Sequence, residues 1–570
     1  MAENSQALPA REVPRAVLAV AVALLLVALI SLAQLFYREF TVFIEDYTHV
    51  DEIFFAVCAT RGLAVSDFLV PGCHDNKAPV VYTVYQFVEW ASGRYSLAGI
   101  KTASVILIAC SLGAVAWVTR LLAGSVLAAL LATTLAAQVL ATNTDFLALK
   151  LELIGTLFLL PGIALLLRWQ KDQKFWYLLS AGFMFGLAVM TKQTFAFAVF
   201  GAVGWLLIAA PQGRQLVRKK LADGFVFALA TSLPLLCYGL IFWLRDDFSE
   251  FAGSVFLHAI SYGTGGVPAS MAQKAWKFGW LVHQFGLVFP LTLLFLAAFF
   301  WWAFGSRTGQ NLQPARRSAL GLLFALAVAM ALVPVVAKQY FAPHLLPAWL
   351  LMSIPASTVA AIWLQGQTKT PLASRNILAA SVGLGLSVSV VMAVNSWYLN
   401  GDVAKRRLAQ QHQLDIDSRI AGAVGSYGYV LGVRPEFYFF NGIIPASDVL
   451  YPGGLAGAGT PVGLDVNLKD QTPLLRAHTL IQAQAEKRLM SQFLETPPAY
   501  IFLVDRWARA RGSTKLTDVV SLNRYVSDYC VSIRIVHGKP YQQGVLYRCS
   551  RPVPRATAGL LNDLSPRVLD

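Results

Sequence analysis

The chain has 570 residues, of which 56% are apolar and only 14% charged; its mean hydropathy is +0.56 and its formal net charge +15. So apolar a composition excludes an ordinary soluble globular protein, because most of the chain has to face lipid. The cations fall mainly in short segments between apolar runs, where membrane topology accounts for them, and this removes nucleic acid as the reading of the positive charge.

Taken in order, apolar runs long enough to cross a hydrocarbon core of about 30 Å recur from Pro14 to Tyr398. They predict about eleven transmembrane helices, near 14–36, 97–120, 124–141, 146–167, 175–191, 194–210, 223–243, 284–304, 318–337, 343–364 and 376–398. The first run lacks a good cleavage site at Ser31-Leu32-Ala33 and is expected to stay as a membrane helix. Lys and Arg are retained on the cytoplasmic side. With Arg11 and Arg15 inside, Arg120, Arg168/Lys171/Lys174, Arg214/Arg218/Lys219/Lys220, Arg307/Arg316/Arg317 and Lys369/Arg375 all fall on that side too. Segments 37–96, 244–283 and 399–570 are then placed on the outer face, which for a bacterial inner membrane is the periplasm.

Segment 37–96 is too long for a plain connector. DEIFFAVCATRGLAV has helical apolar spacing with Asp51 and Glu52 in its first turn, and VVYTVYQFVEWASG carries interfacial Tyr and Trp, so two surface helices are expected. After Tyr398 the hydropathy drops. Strand-like GYVLGV, AYIFLV and SIRIVH alternate with the helix-like LIQAQAEKRLMSQFL, which predicts a small α/β domain over 399–570 behind a membrane domain over 1–398. The Gly-rich PGGLAGAGTPVG lacks the Lys and the strand-to-helix setting of a phosphate cradle and reads as a flexible loop. Cys110 and Cys237 lie in spans. Cys58/Cys73 and Cys530/Cys549 form two pairs in outer segments, which an oxidising compartment would let close; free buried thiols are the other reading.

Charged side chains at a membrane boundary are expensive unless they pair or act. The acids are Glu45, Asp46, Asp51, Glu52, Asp75, Asp145 and Glu152; the bases include Lys77, Lys101, Lys150, Lys192, His258, Lys338 and His344. Both signs converge on the outer face. A cavity so lined, floored by apolar helices, suits an amphipathic lipid with a charged head.

The order of these pieces resembles the GT-C fold superfamily of polyprenyl-phosphate-sugar-dependent glycosyltransferases, which includes the protein O-mannosyltransferases and the lipid A aminoarabinose transferase. VDEIFFA matches the family's Asp-Glu pair opening a surface helix, and HDNKAPVVY its Lys-Pro-Pro stretch, with Ala78 where Pro is usual. Similar patches are LKLELIGTLFLL, AGFMFGLAVMTKQTF, KQYFAPHLLPAW and VRPEFYFFNG. The resemblance implies inverting transfer of a sugar from polyprenyl phosphate to a hydroxyl of a lipid, glycan or protein. By motif position it implies Asp51 as general base and Glu52 as the residue orienting the acceptor or a basic partner, with Asp46 as the rival base. It puts Lys77 on the donor phosphate, with Lys192, Tyr340 and His344 as further binding residues. Asp145 is a second carboxylate near the site or a cap for the fourth span, and Glu152 is expected to pair with Lys150 or Lys101. No multi-carboxylate cage is apparent, although Asp46, Asp51 and an incoming phosphate could recruit a divalent cation. The competing classes are a transporter or flippase, which would place charges near the bilayer midplane within internal repeats, and a non-catalytic assembly subunit.

Overall fold

The computed structural model describes residues 50–64, 69, 73, 77–142, 144–208, 217–257, 271–304, 313–336, 342–366, 426–431, 436–447, 487–504, 520–536 and 544–550. The predicted spans 14–36 and 376–398, the loop PGGLAGAGTPVG, and residues Asp46 and Tyr340 lie outside them.

Helices α1 (Val50–Ala64) and α2 (Val80–Ser92) form a pair ahead of the bundle. The bundle contains α3 (Leu97–Ala123), α4 (Val126–Thr142), α5 (Leu151–Asp172), α6 (Phe175–Thr191), α7 (Ala196–Ile208) and α8 (Val217–Trp243). The short α9 (Phe248–Ala252), then α10 (Met271–Leu287), α11 (Phe289–Phe304), α12 (Pro314–Ala331) and α13 (Leu346–Gly366) complete the order. The predicted spans from 97–120 to 343–364 fall on α3–α8 and α11–α13. Among the described residues, five helices are long and apolar enough to cross a membrane: Leu97–Ala123, Leu151–Asp172, Val217–Trp243, Pro314–Val336 and Ala342–Ile362.

Two differences from the sequence reading bear on the site. The fourth span begins at Leu151, not 146, because Thr144–Phe146 form a 3-10 turn and Lys150, in extended conformation, occupies the N-cap position. Asp145 therefore does not cap that helix. In addition, α10 occupies part of the predicted outer loop 244–283; its sequence MAQKAWKFGWLVHQFGL mixes polar and apolar residues too evenly to register as a span.

Helix α13 sits centrally, against α3, α4, α11 and α12, while α6 is clasped between α5 and α8. Small residues permit that second contact. A Cβ at Gly182 would lie 2.6 Å from the Phe227 carbonyl oxygen, and one at Gly186 would lie 2.3 Å from that of Thr231. This Gly-x-x-x-Gly face lets the helix backbones touch where lipid gives no hydrophobic driving force.

The C-terminal part contains a five-stranded sheet of β1 (Tyr427–Leu431), β2 (Ile444–Pro445), β3 (Tyr500–Val504), β4 (Cys530–Val536) and β5 (Gly544–Cys549), in the order β2-β1-β3-β5-β4. β1 runs parallel to β2 and β3, and β5 runs antiparallel to β3 and β4. GYVLGV, AYIFLV and SIRIVH supply β1, β3 and β4; β5, from GVLYRC, and the two-residue β2 are additions. Period-two alternation divides the side chains between two cores. Tyr429, Leu431 and Ile501 face helix residues Leu489, Met490, Phe493, Leu522, Tyr525 and Val526. Val430, Phe502 and Leu546 face the other way, joining Phe437, Tyr438 and Phe439 of helix α14 (Glu436–Asn441) and the buried faces of α1 and α2. Arg61 Nε donates to the Pro445 carbonyl at 3.3 Å and Tyr95 Oη to that of Ile443 at 2.7 Å, so the sheet is docked on α1 and on the turn after α2 by polar as well as apolar contact.

Both cysteine pairs are disulfides, Cys58–Cys73 and Cys530–Cys549. The first ties the middle of α1 to the loop that leads into Lys77; the second crosslinks opposed residues of β4 and β5.

Candidate active site

The first turn of α1 separates its two acids. Asp51 is half-buried, whereas Glu52 is fully buried. Glu52 Oε2 accepts from Lys101 Nζ of α3 at 3.1 Å, and Oε1 accepts from the Leu149 backbone N–H at 2.7 Å. Two more side chains hold the same short segment: Tyr85 Oη donates to the Leu149 carbonyl at 2.6 Å, and Ser104 Oγ donates to that of Leu147. Burial, and then the carboxylates of Glu52, Asp51 and Glu89, hold the Tyr85 phenol well above its ordinary pKa, so it remains a donor. Residues 147–150 thus enter α5 along a path fixed from α1, α2 and α3.

That path delivers Glu152 into the first turn of α5, where it is 5% exposed. Its Oε1 accepts from Lys192 Nζ and lies 3.6 Å from His344 Nε2. Lys192 occupies the extended break between α6 and the 3-10 turn Gln193–Phe195 that opens α7. Close packing brings the break to α5: a Cβ on Gly155 would lie 2.3 Å from the Phe195 ring, a space only glycine leaves. His344 comes from the 3-10 turn Ala342–Leu345 before α13. Phe146 packs edge-on against Trp349, with ring centroids 5.6 Å apart. Lys150 Nζ stands 3.9 Å from Asp145 Oδ1.

Lys77 is half-buried beside this group. The next residue, Ala78, is completely buried and, with Val80, packs in a cluster with Met190 of α6 and Tyr238 and Phe242 of α8. Thr83 and Tyr238 share a hydrogen bond of 2.8 Å between hydroxyls. Anchored on both sides, Lys77 and Asp51 come close enough for their charges to act on Lys192. Burial pushes the Lys192 amine below the ordinary lysine pKa, against the opposing pull of Glu152.

The structure therefore gathers Asp51, Glu52, Lys77, Asp145, Lys192 and His344 into one region. It re-pairs Glu152, expected opposite Lys150 or Lys101, with Lys192 and His344, while Lys101 takes Glu52 and Lys150 takes Asp145. Among the described residues no group of three or more His, Cys, Asp or Glu side chains could hold a metal ion, and Asp46 lies outside those residues. The sequence reading missed Glu89, the single acid of VVYTVYQFVEWAS, which is 2% exposed and accepts from Thr60 Oγ1 at 2.5 Å. Burial raises its pKa to about 7. An isolated acid on an apolar helix was the available signal.

Residues 76–238 match the family described as dolichyl-phosphate-mannose-protein mannosyltransferase. That stretch includes Lys77, Lys101, Lys150, Glu152 and Lys192 and omits Asp51 and His344. No curated protein matches the sequence significantly. Among solved structures, ArnT from Cupriavidus metallidurans bound to undecaprenyl phosphate superposes with a TM-score of 0.57 at 14% identity, over 92% of this chain and 97% of that one. ArnT from the same organism in the apo state gives 0.52 at 15% identity, over 87% and 93%. The resemblance carried by VDEIFFA, HDNKAPVVY and the later patches thus extends to the architecture, and the chain shares the GT-C fold of ArnT.

Proposed function

We propose that the chain is an integral-membrane glycosyltransferase of the bacterial inner membrane that moves a sugar from a polyprenyl-phosphate donor to a hydroxyl on a lipid, glycan or protein. The observation that carries this reading is the convergence of half-buried Asp51 and Lys77 beside buried, carboxylate-paired Lys192. A hydroxyl nucleophile needs a base and a leaving phosphate needs cations; those are the groups present.

In the proposed reaction the acceptor oxygen attacks the anomeric carbon as its proton passes to the Asp51 carboxylate. The bond from the anomeric carbon to the phosphate oxygen breaks on the opposite face, and its electron pair leaves with the polyprenyl phosphate. The anomeric configuration inverts. Lys77 and Lys192 offset charge on the leaving phosphate, while Glu52, held by Lys101, sets the direction of the first turn of α1. Asp145, His344 and, outside the described residues, Asp46 and Tyr340 complete the proposed binding region; a divalent cation at Asp46 and Asp51 is compatible with this chemistry.

The site is assigned to the periplasmic face, with the N-terminus in the cytoplasm and residues 399–570 as a periplasmic domain behind a membrane domain over 1–398. The two disulfides support that compartment, since such bonds persist where the environment is oxidising. The ArnT structure with undecaprenyl phosphate supports a lipid-phosphate donor.

The test is transfer of radiolabelled sugar from a panel of polyprenyl-phosphate sugars by purified protein, comparing wild type with Asp51→Asn and Lys77→Ala. Transfer by wild type that disappears in Asp51→Asn while donor binding persists is the expected result. A folded wild type that binds and transfers nothing across the panel contradicts the enzyme reading and favours a transporter or assembly role.

A further inference from the structure

We infer that Glu152 is a positioning residue that keeps Lys192 charged and aimed at the lipid phosphate. This rests on the reading above, in which Lys192 belongs to the donor-phosphate site. An amine as enclosed as Lys192, 8% exposed, favours its neutral form unless a carboxylate stands against it. Glu152, from the facing first turn of α5, is that carboxylate, and its Oε1 takes the Lys192 amine directly. The other charges around the amine leave this role to Glu152. Lys77 opposes the charge on Lys192, Asp51 supports it less than Glu152 does, and His344 meets the same Glu152 oxygen. Lys150 acts on Glu152 from the preceding turn.

One oxygen thus serves two basic side chains from different elements, the α6–α7 break and the turn before α13. Such an arrangement makes Glu152 a stand-in anion that holds both basic side chains in place before the phosphate arrives. A neutral amide at this position keeps the size of the side chain and removes the charge. Lys192 then loses its proton in a pH range where the native residue keeps it, and its phosphate affinity becomes pH-dependent.

The experiment measures binding of undecaprenyl phosphate to the full chain in lipid nanodiscs between pH 6 and pH 9, for wild type, Glu152→Gln, Glu152→Asp and Glu152→Gln combined with Lys192→Arg. Relative to wild type, Glu152→Gln is expected to bind about tenfold more weakly at pH 8.5 and to approach wild type at pH 6. Glu152→Asp retains most of the binding. Arginine cannot be deprotonated in this range, so the double variant is expected to lose the pH dependence. Weak binding by Glu152→Gln at every pH would mean a purely structural role. A pH dependence that survives in the double variant would assign it to His344. Either result overturns the inference while leaving the donor-site reading intact, whereas a wild type that binds no undecaprenyl phosphate overturns both.

Discussion

Two buried glutamates, Glu52 and Glu152, each opposite a lysine, divide the charged region into a brace and the proposed working site. Around Glu52 both carboxylate oxygens are taken, by Lys101 and by the Leu149 N–H, and the group is sealed from solvent. Around Glu152 a single oxygen serves Lys192 and His344, and half-buried Asp51 and Lys77 lie within electrostatic reach. A buried pair with every partner satisfied fixes geometry; a cation-rich cluster open to half-buried groups can exchange one anion for another. Adjacent residues Asp51 and Glu52, which read as one pair in sequence, therefore belong to different machinery.

Substitutions at the two glutamates and their neighbours separate the two roles. Asp51→Asn is expected to lower sugar transfer by roughly 10²–10⁴-fold with little change in thermal stability. Glu52→Gln should do the reverse first: leaving Lys101 buried without its carboxylate costs about 3–5 kcal/mol, read as a lower unfolding midpoint in detergent. If Glu52→Gln unfolds no more readily than wild type, the brace is misassigned. Reduction-proof removal of the first disulfide, Cys58→Ser with Cys73→Ser, frees a closure spanning a sequence separation of 15. It should cost about 3 kcal/mol, with lipid-phosphate binding weakened through the Lys77 loop.

The smallest effect is a pH dependence on the docking side of α1. Burial raises Glu89 to about 7 from its ordinary 4.5, so the folded chain holds the proton more tightly than the unfolded one. Stability from this group is then complete below about 4.5 and is lost as pH rises through about 7, by about 1–3 kcal/mol. Glu89→Gln should flatten the dependence. A wild-type midpoint that rises with pH across this range, and does so equally in the variant, would remove Glu89 from the account.

Much of this arrangement was legible in the sequence because lipid restricts what a chain can do. Long apolar runs located the bundle helices, and charged residues in so apolar a chain were few enough to mark the site. Strand-like runs located β1, β3 and β4. What stayed hidden was set by contacts remote in sequence. Hydropathy could not see that α5 starts at Leu151, because 147–150 is as apolar as a helix and is held out of helix by Glu52, Tyr85 and Ser104 from three other elements. Nor could it choose a partner for Glu152: Lys150 is two residues away, yet Lys192 arrives across the Gly155–Phe195 contact. β5 was not read from the sequence because Val545-Leu546-Tyr547 is a three-residue apolar run without alternation, and pairing with β3 and β4 makes it a strand.

In the proposed site a lipid phosphate binds between Lys77 and Lys192 with Asp51 facing the sugar side. The most direct test is an electron cryo-microscopy structure of the full chain with undecaprenyl phosphate. The expected result is phosphate oxygens within hydrogen-bond reach of both lysine amines, with the lysine of the α6–α7 break turned at least partly from Glu152 toward them. A phosphate bound elsewhere, with Lys192 still wholly engaged by Glu152 and Lys77 remote from the lipid, would contradict it.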